Sequence, residues 1–302
     1  MKRLRAVIAL VAVGVIAGLS LVGLVSAGDD PEEEGYAPFP EVAAGESAVI
    51  SMSSAGMNRS LIVDMPTQPA PEKGHAVLFM FHGWQENAVL MQEYTQMEDA
   101  QAIVVYPDGL TRAWGGGPYA QTNENKGDEA LVRDIMGRLE ATYPIDRERV
   151  FAAGMSNGGG FATLLGCRVD DVIKGVASVS SANYDGIRDG CSESPLPILA
   201  IHGTADQVMQ YDGGTRHGTR YYSIREAREA DVDRNKCREP LSKYVTDTIE
   251  RTVWQGCDAR TEFYRIDGGV HIWDGSPDDL NSTVPKNFAT DTVLEFFGIE
   301  RA

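Results

Sequence analysis

The sequence predicts an α/β fold, a three-layer αβα sandwich around a mostly parallel sheet, and three observations carry that expectation. Short β-branched and apolar runs recur at 76–81, 102–106, 150–153 and 198–201 without polar alternation, as strands buried on both faces require. Between the second and third runs, Leu131, Ile135, Met136 and Leu139 recur at helical spacing within 128–141, as a helix laid across a sheet should show. Strand and helix patterns alternate along the chain, which favours one α/β domain over two separate ones.

Composition agrees with a packed domain. The 302 residues are 43% hydrophobic and 24% charged, so most of the chain can bury a core, and disorder, collagen and coiled coil are excluded as its main architecture. Asp and Glu number 44 against 27 Lys and Arg, a net charge of −17. Nucleic-acid phosphates would be repelled by such a surface, and that class of partner is set aside.

The first residues differ from the rest. Lys2, Arg3 and Arg5 precede an uncharged apolar run over 6–28, and Val25-Ser26-Ala27 offers a small-residue cleavage site. The expectation is an export signal at 1–27; the run is also long enough to serve as an uncleaved anchor, the one route to a membrane. No cysteine precedes Cys167, which excludes a lipid anchor. Residues 28–46, rich in Asp, Glu and Pro, read as an acidic disordered tether, and 47–302 as a single catalytic domain. The expected location is secreted, periplasmic or otherwise in the cell envelope.

Four cysteines, Cys167, Cys191, Cys237 and Cys257, suit an oxidising compartment. Three pairings are open. Joining sequence neighbours, Cys167 with Cys191 and Cys237 with Cys257, is favoured because each bridge staples one loop, at about 3 kcal/mol apiece. Neither a C-x-x-C nor a histidine at ligand spacing accompanies them, so no metal is expected.

In open parallel sheets chemistry gathers at the carboxyl ends of strands. The run at 150–153 leads into Gly154-Met155-Ser156-Asn157-Gly158, and 161–167 then reads as a helix. A G-x-S-x-G turn between strand and helix is the context of a nucleophile elbow, with Ser156 as nucleophile. The plainer alternative is a serine capping a helix in a glycine-rich turn. A serine hydroxyl needs a base, and such elbows are followed in sequence by an acid and then a histidine. Of the five histidines, His75 and His82 come too early. His75 reads as a surface residue and His82 as a brace for its loop, while His202 reads as packing at the end of its own strand and His217 as solvated. His271 follows the strand-like 262–266 and is the expected base. Asp206, after the run at 198–201, is the expected acid, with Asp212 as runner-up. The amides of Asn157 and of Trp84, after Phe81-His82-Gly83, are the expected oxyanion donors. Trp84, Trp114 and Trp273 are candidates for an aromatic substrate wall, each with core packing as the plainer alternative.

Taken together, Phe81-His82-Gly83-Trp84, Tyr106-Pro107-Asp108-Gly109, Gly154-Met155-Ser156-Asn157-Gly158-Gly159, His202-Gly203-Thr204-Ala205-Asp206 and Gly269-Val270-His271-Ile272-Trp273 resemble the secreted polyhydroxybutyrate depolymerase and feruloyl esterase-like branch of the α/β-hydrolases. The resemblance extends from about residue 74 to 273. It implies an α/β-hydrolase fold, the triad Ser156, Asp206 and His271, both neighbouring disulfides and no cofactor. Val270, Ile272 and Asp274 depart from the family pattern around the histidine, as does Gly115-Gly116-Gly117 after Trp114. The implied activity is hydrolysis of a carboxylic ester through an acyl-enzyme, the substrate being a feruloyl or acetyl polysaccharide ester or a short polyhydroxyalkanoate. An acyltransferase using the same triad, or a silent binding protein, are the other readings.

Overall fold

The computed structural model describes residues 35–124 and 126–302. The expected export segment, 1–27, and the first part of the expected tether lie outside the described residues. Among the described residues, no helix is long and apolar enough to cross a membrane.

In chain order the elements are β1 (Ser47–Ser54), β2 (Met57–Asp64), β3 (His75–Phe81), α1 (Ala88–Thr95), β4 (Ile103–Pro107), α2 (Gly127–Thr142), β5 (Ile145–Met155), α3 (Asn157–Arg168) and β6 (Val176–Val179). They continue with β7 (Ile198–Gly203), β8 (Gly214–Arg216), β9 (Thr219–Tyr221), α4 (Ile224–Arg234), β10 (Pro240–Tyr244), β11 (Ile249–Trp254), β12 (Thr261–Ile266) and α5 (Phe288–Phe297). The main sheet runs β1-β2-β4-β3-β5-β6-β7-β12-β11-β10. Its centre, from β4 to β12, is parallel, and antiparallel strands extend it at both edges.

The central strands are apolar on both faces because both faces are covered. Side chains alternate across a strand, so Val77, Phe79 and Phe81 of β3 join a core with Leu131, Ile135 and Leu139 of α2 and Phe161 and Leu165 of α3. Ala76, Leu78 and Met80 point the other way, into a core with Met91 of α1 and Val293, Leu294 and Phe297 of α5. Every residue of β3, β4 and β7 is buried, which is why these strands were readable as continuous apolar runs. The helix expected over 128–141 is α2, and that over 161–167 is the second part of α3.

Two expectations are corrected. Residues 35–46 are not a free tether. Phe39 is only 5% exposed and sits in the α2-side core. Its amide donates to Thr142 Oγ1 at 2.8 Å, and the Val42 amide donates to the Tyr143 hydroxyl at 2.7 Å. The Tyr36 ring covers Gly137 of α2, where an added Cβ would meet the ring at 2.0 Å. One aromatic between two prolines anchors a segment whose average composition is too polar to pack. His75, expected at the surface, is buried at the start of β3, and its amide donates to the Pro144 carbonyl.

The bridges join Cys167 to Cys191 and Cys237 to Cys257. The first ties the end of α3 to the segment before β7. The second ties the segment after α4 to the β11–β12 connection.

Candidate active site

Four strand ends build the site. At the end of β5, Ser156 has φ 52° and ψ −118°, a conformation that L-residues avoid and that strand-to-helix elbows impose. The turn is tight enough to demand glycine beside it: a Cβ on Gly158 would lie 1.9 Å from the Phe81 carbonyl oxygen, and one on Gly154 would lie 2.5 Å from the Gly158 backbone. Ser156 occupies the N-cap position of α3, yet its side chain makes no capping hydrogen bond. The hydroxyl is therefore not used as a helix cap, against the plainer reading of this motif.

Asp206 and His271 are brought together by the ends of β7 and β12, which pair in parallel. Gly203 and Gly269 allow their loops to touch; a Cβ on Gly203 would fall 2.2 Å from the Gly269 carbonyl oxygen. The Gly269 carbonyl accepts from the Ala205 amide, and Thr204 Oγ1 accepts from the Gly268 amide. Across this contact His271 Nδ1 donates to Asp206 Oδ2 at 2.7 Å. The other carboxylate oxygen accepts from the Val208 and Met209 amides, both at 2.8 Å. Burial pushes the Asp206 carboxyl up, but the hydrogen bond and charge of His271, with His202 and the Met209 amide, outweigh it and hold the group below the usual carboxylate range.

His202 lies behind this pair. Its Nε2 donates to the Met209 carbonyl at 2.8 Å. Burial lowers its pKa to about 4, so it is neutral at working pH and steadies the turn that holds Asp206. His82 is fully buried; Nδ1 donates to the Gly83 carbonyl and Nε2 accepts from the Gly109 amide, bracing the loop that carries Trp84. Asp212 is exposed and Asp206 holds the His271 hydrogen bond.

Ser156 and His271 line a single cavity of about 220 Å³ together with Gly83, Trp84, Glu86, Tyr119, Tyr184, Val208, Met209, Arg216 and His217. A groove of about 270 Å³ beside Tyr36 and Arg133 is lined by no serine or histidine. The Trp84 amide has no acceptor among the described residues, and Asn157 opens α3, where helix geometry supplies no partner for its amide.

No protein-family model matches the chain. It is 28% identical over 250 residues to a probable feruloyl esterase C of Aspergillus terreus, covering 79% of this chain and 83% of that protein. The feruloyl esterase C of Emericella nidulans matches at 28% over 249 residues, with the same coverage. Among solved structures, the acetyl xylan esterase of Aspergillus awamori superposes with a TM-score of 0.56 at 14% identity, over 83% of this chain and 99% of that one. The chain is thus similar to feruloyl esterases over most of its length, and it has the α/β fold of the acetyl xylan esterase.

Of the three tryptophans expected in a substrate wall, Trp114 and Trp273 do not reach the cavity. Both are fully buried. Trp114 stacks on Phe161 at 5.3 Å and donates Nε1–H to the His82 carbonyl; Trp273 donates to Thr290 Oγ1. An indole with its N–H satisfied inside is core, and no sequence pattern separates it from one facing a ligand. The aromatic lining comes from Trp84, stacked on Tyr119 at 4.9 Å, and from His217, edge-on to Trp84 at 4.7 Å. His217 was expected to be merely solvated; it is exposed, but against the cavity.

Tyr119 is placed by a buried ion pair. Arg59 Nη2 reaches Asp128 Oδ1 at 2.7 Å, and Asp128 Oδ2 accepts from the Gly115 amide and from Thr122 Oγ1. Asn157 adds a clamp, accepting from the Trp114 amide at 2.8 Å and donating to its carbonyl. The glycine-rich segment after Trp114 is therefore held at both ends. Tyr119, Tyr184, Arg216 and His217 carry no motif and were invisible as site residues; only the unusual glycines beside Trp114 marked their neighbourhood. Asp274, a departure from the family pattern, is buried away from the cavity lining, and burial and the Asp279 and Asp206 charges drive its carboxyl well above the usual range.

Proposed function

We propose that this chain hydrolyses carboxylic esters through a covalent ester on Ser156, with feruloyl esters as the favoured substrates. The observation that carries the reading is the 2.7 Å contact of His271 with Asp206 across 65 residues of sequence, in the cavity that Ser156 lines. With Nδ1–H committed to the carboxylate, His271 presents the lone pair of Nε2 as a base.

In the first half-reaction His271 takes the Ser156 proton as the hydroxyl oxygen attacks the ester carbonyl. The amides of Asn157 and Trp84 receive the negative charge that develops on the carbonyl oxygen; such donors are each worth about 10² to 10³ in kcat. His271 then protonates the leaving alkoxide and the alcohol departs. Water repeats the sequence on the acyl-enzyme, giving the acid and restoring Ser156. Asp206 stays ionised and steadies the imidazolium in both halves. Every step uses groups of this chain, with no metal or organic cofactor.

Trp84, Tyr119 and His217 suit a flat aromatic acyl group, and the relatives bear feruloyl rather than polyester names. Export to an oxidising compartment belongs to the same reading and draws support from the two disulfides.

The test is initial rates on methyl ferulate, acetylated xylan, 3-hydroxybutyrate oligomers and a nitrophenyl ester, with Ser156→Ala as blank. Ferulate release that the variant abolishes is expected. Turnover retained by Ser156→Ala would remove the serine from the mechanism. Product appearing only on an added alcohol acceptor would make the chain a transferase.

A further inference from the structure

The catalytic cavity has a donor-rich wall that the reaction above leaves unused. The β8–β9 hairpin, inserted between Asp206 and α4, forms part of it. His217 and Gly218 make its two-residue turn, with φ 52° and 76°, as tight hairpins require. The hairpin docks on the chain after β6 through a bridge between Tyr184 and Tyr221.

Three groups face the cavity from this region. Tyr184 is 1% exposed and its hydroxyl makes no hydrogen bond; the Tyr119 hydroxyl beside it is close enough to interact electrostatically. Arg216 pairs through its backbone with Thr219 in the hairpin, and its side chain lines the same cavity, where the guanidinium forms no hydrogen bond or ion pair among the described residues. Its positive charge reaches both phenols. The nearby carboxylates are engaged elsewhere: Glu86 accepts from the Gly83 amide and the Tyr94 hydroxyl, and Asp206 holds His271 and two amides.

An idle guanidinium in a chain of net charge −17 is unexpected, since most arginines here find a carboxylate. A buried phenol without a partner costs free energy that an incoming acceptor recovers. We propose that Arg216, with Tyr184 and Tyr119, binds a carboxylate carried by the substrate, so that the preferred esters are anionic. The proposal deepens the ester-hydrolase reading and rests on it. Guanidinium and phenol together present convergent donors to two carboxylate oxygens, and a neutral ester has no group that uses them as well.

Two substrate pairs separate a carboxylate on the alcohol part from one on the acyl part. The first is feruloyl glycolate against its methyl ester; the second is 4-nitrophenyl hydrogen glutarate against its methyl ester, with Ser156→Ala subtracting spontaneous hydrolysis. In the native chain one pair is expected to show kcat/KM about tenfold higher for the acid. Arg216→Met should bring that ratio toward one, and Arg216→Lys should restore part of it. A ratio of one or below in both pairs, or a preference that Arg216→Met leaves intact, would overturn the proposal. Hydrolysis of the neutral members tests the ester-hydrolase reading separately. Calorimetric binding of the same pairs to Ser156→Ala reads the Arg216 contact without turnover, and equal or undetectable affinity there would also overturn it.

Discussion

Asp206 and His271 meet at 2.7 Å because Gly203 and Gly269 let two loops touch with no side chain between them. The geometry assigns the imidazole its tautomer, and the second carboxylate oxygen, held by the Val208 and Met209 amides, keeps Asp206 from rotating away. Asp206→Asn offers an amide N–H or a neutral oxygen where a carboxylate stood. The expected result is a fall in kcat of about 10³ to 10⁴ with little change in KM, read from steady-state hydrolysis of methyl ferulate. A fall under tenfold would mean that another group orients His271.

His202 makes folding stability depend on pH. Burial lowers its pKa from the ordinary imidazole value of 6.5 to about 4 in the folded chain, so the unfolded chain binds the proton more readily between those values. Stability is thus fully present above about pH 6.5 and falls as pH drops toward 4, by about 3 kcal/mol from this group. Burial pushes His75 and His82 in the same direction. Urea unfolding at a series of pH values should therefore show a shallower acid loss in His202→Gln, whose amide can still donate to the Met209 carbonyl, than in the native chain. Parallel curves would assign the acid sensitivity to other groups.

Phe39 tests where the folded unit begins. Its ring is buried beside α2, so Phe39→Ala is expected to cost about 3 kcal/mol, measured as a shift of the urea midpoint with unchanged slope. A free tether would show no shift.

The tryptophans divide by what they touch. Trp84→Ala removes the ring stacked on Tyr119 and should raise KM for methyl ferulate severalfold while leaving KM for a short acetyl ester nearly unchanged. Trp273→Phe loses a buried hydrogen bond to Thr290 and should lower thermal stability, by about 1 kcal/mol or more, without that selective KM effect. A selective KM effect from Trp273→Phe instead would return that residue to the substrate wall.

Much of this was legible in one dimension. Strands buried on both faces announce themselves as apolar runs, and β3, β4, β5 and β7 were found that way. β6 is four residues long, too short to stand out, and the solvent-facing hairpin strand β10 is exposed throughout, so no apolar run marks it. The proposed triad could be read because each member follows a strand within a glycine-bearing motif, and glycine is required where backbones close to within contact distance. Local chemistry of that kind is written locally.

Periodicity and a few adjacent residues were enough to read the layer order, the elbow, and the acid and base proposed for the reaction. Tertiary structure decided which aromatics face the ligand. Trp84 and Trp114 are chemically the same residue, and only the packing of Phe161 and the His82 carbonyl against one, and the open cavity beside the other, separates core from site. It also decided that Arg216 stands without a carboxylate, because pairing depends on distances between segments far apart in the chain, which no local pattern encodes.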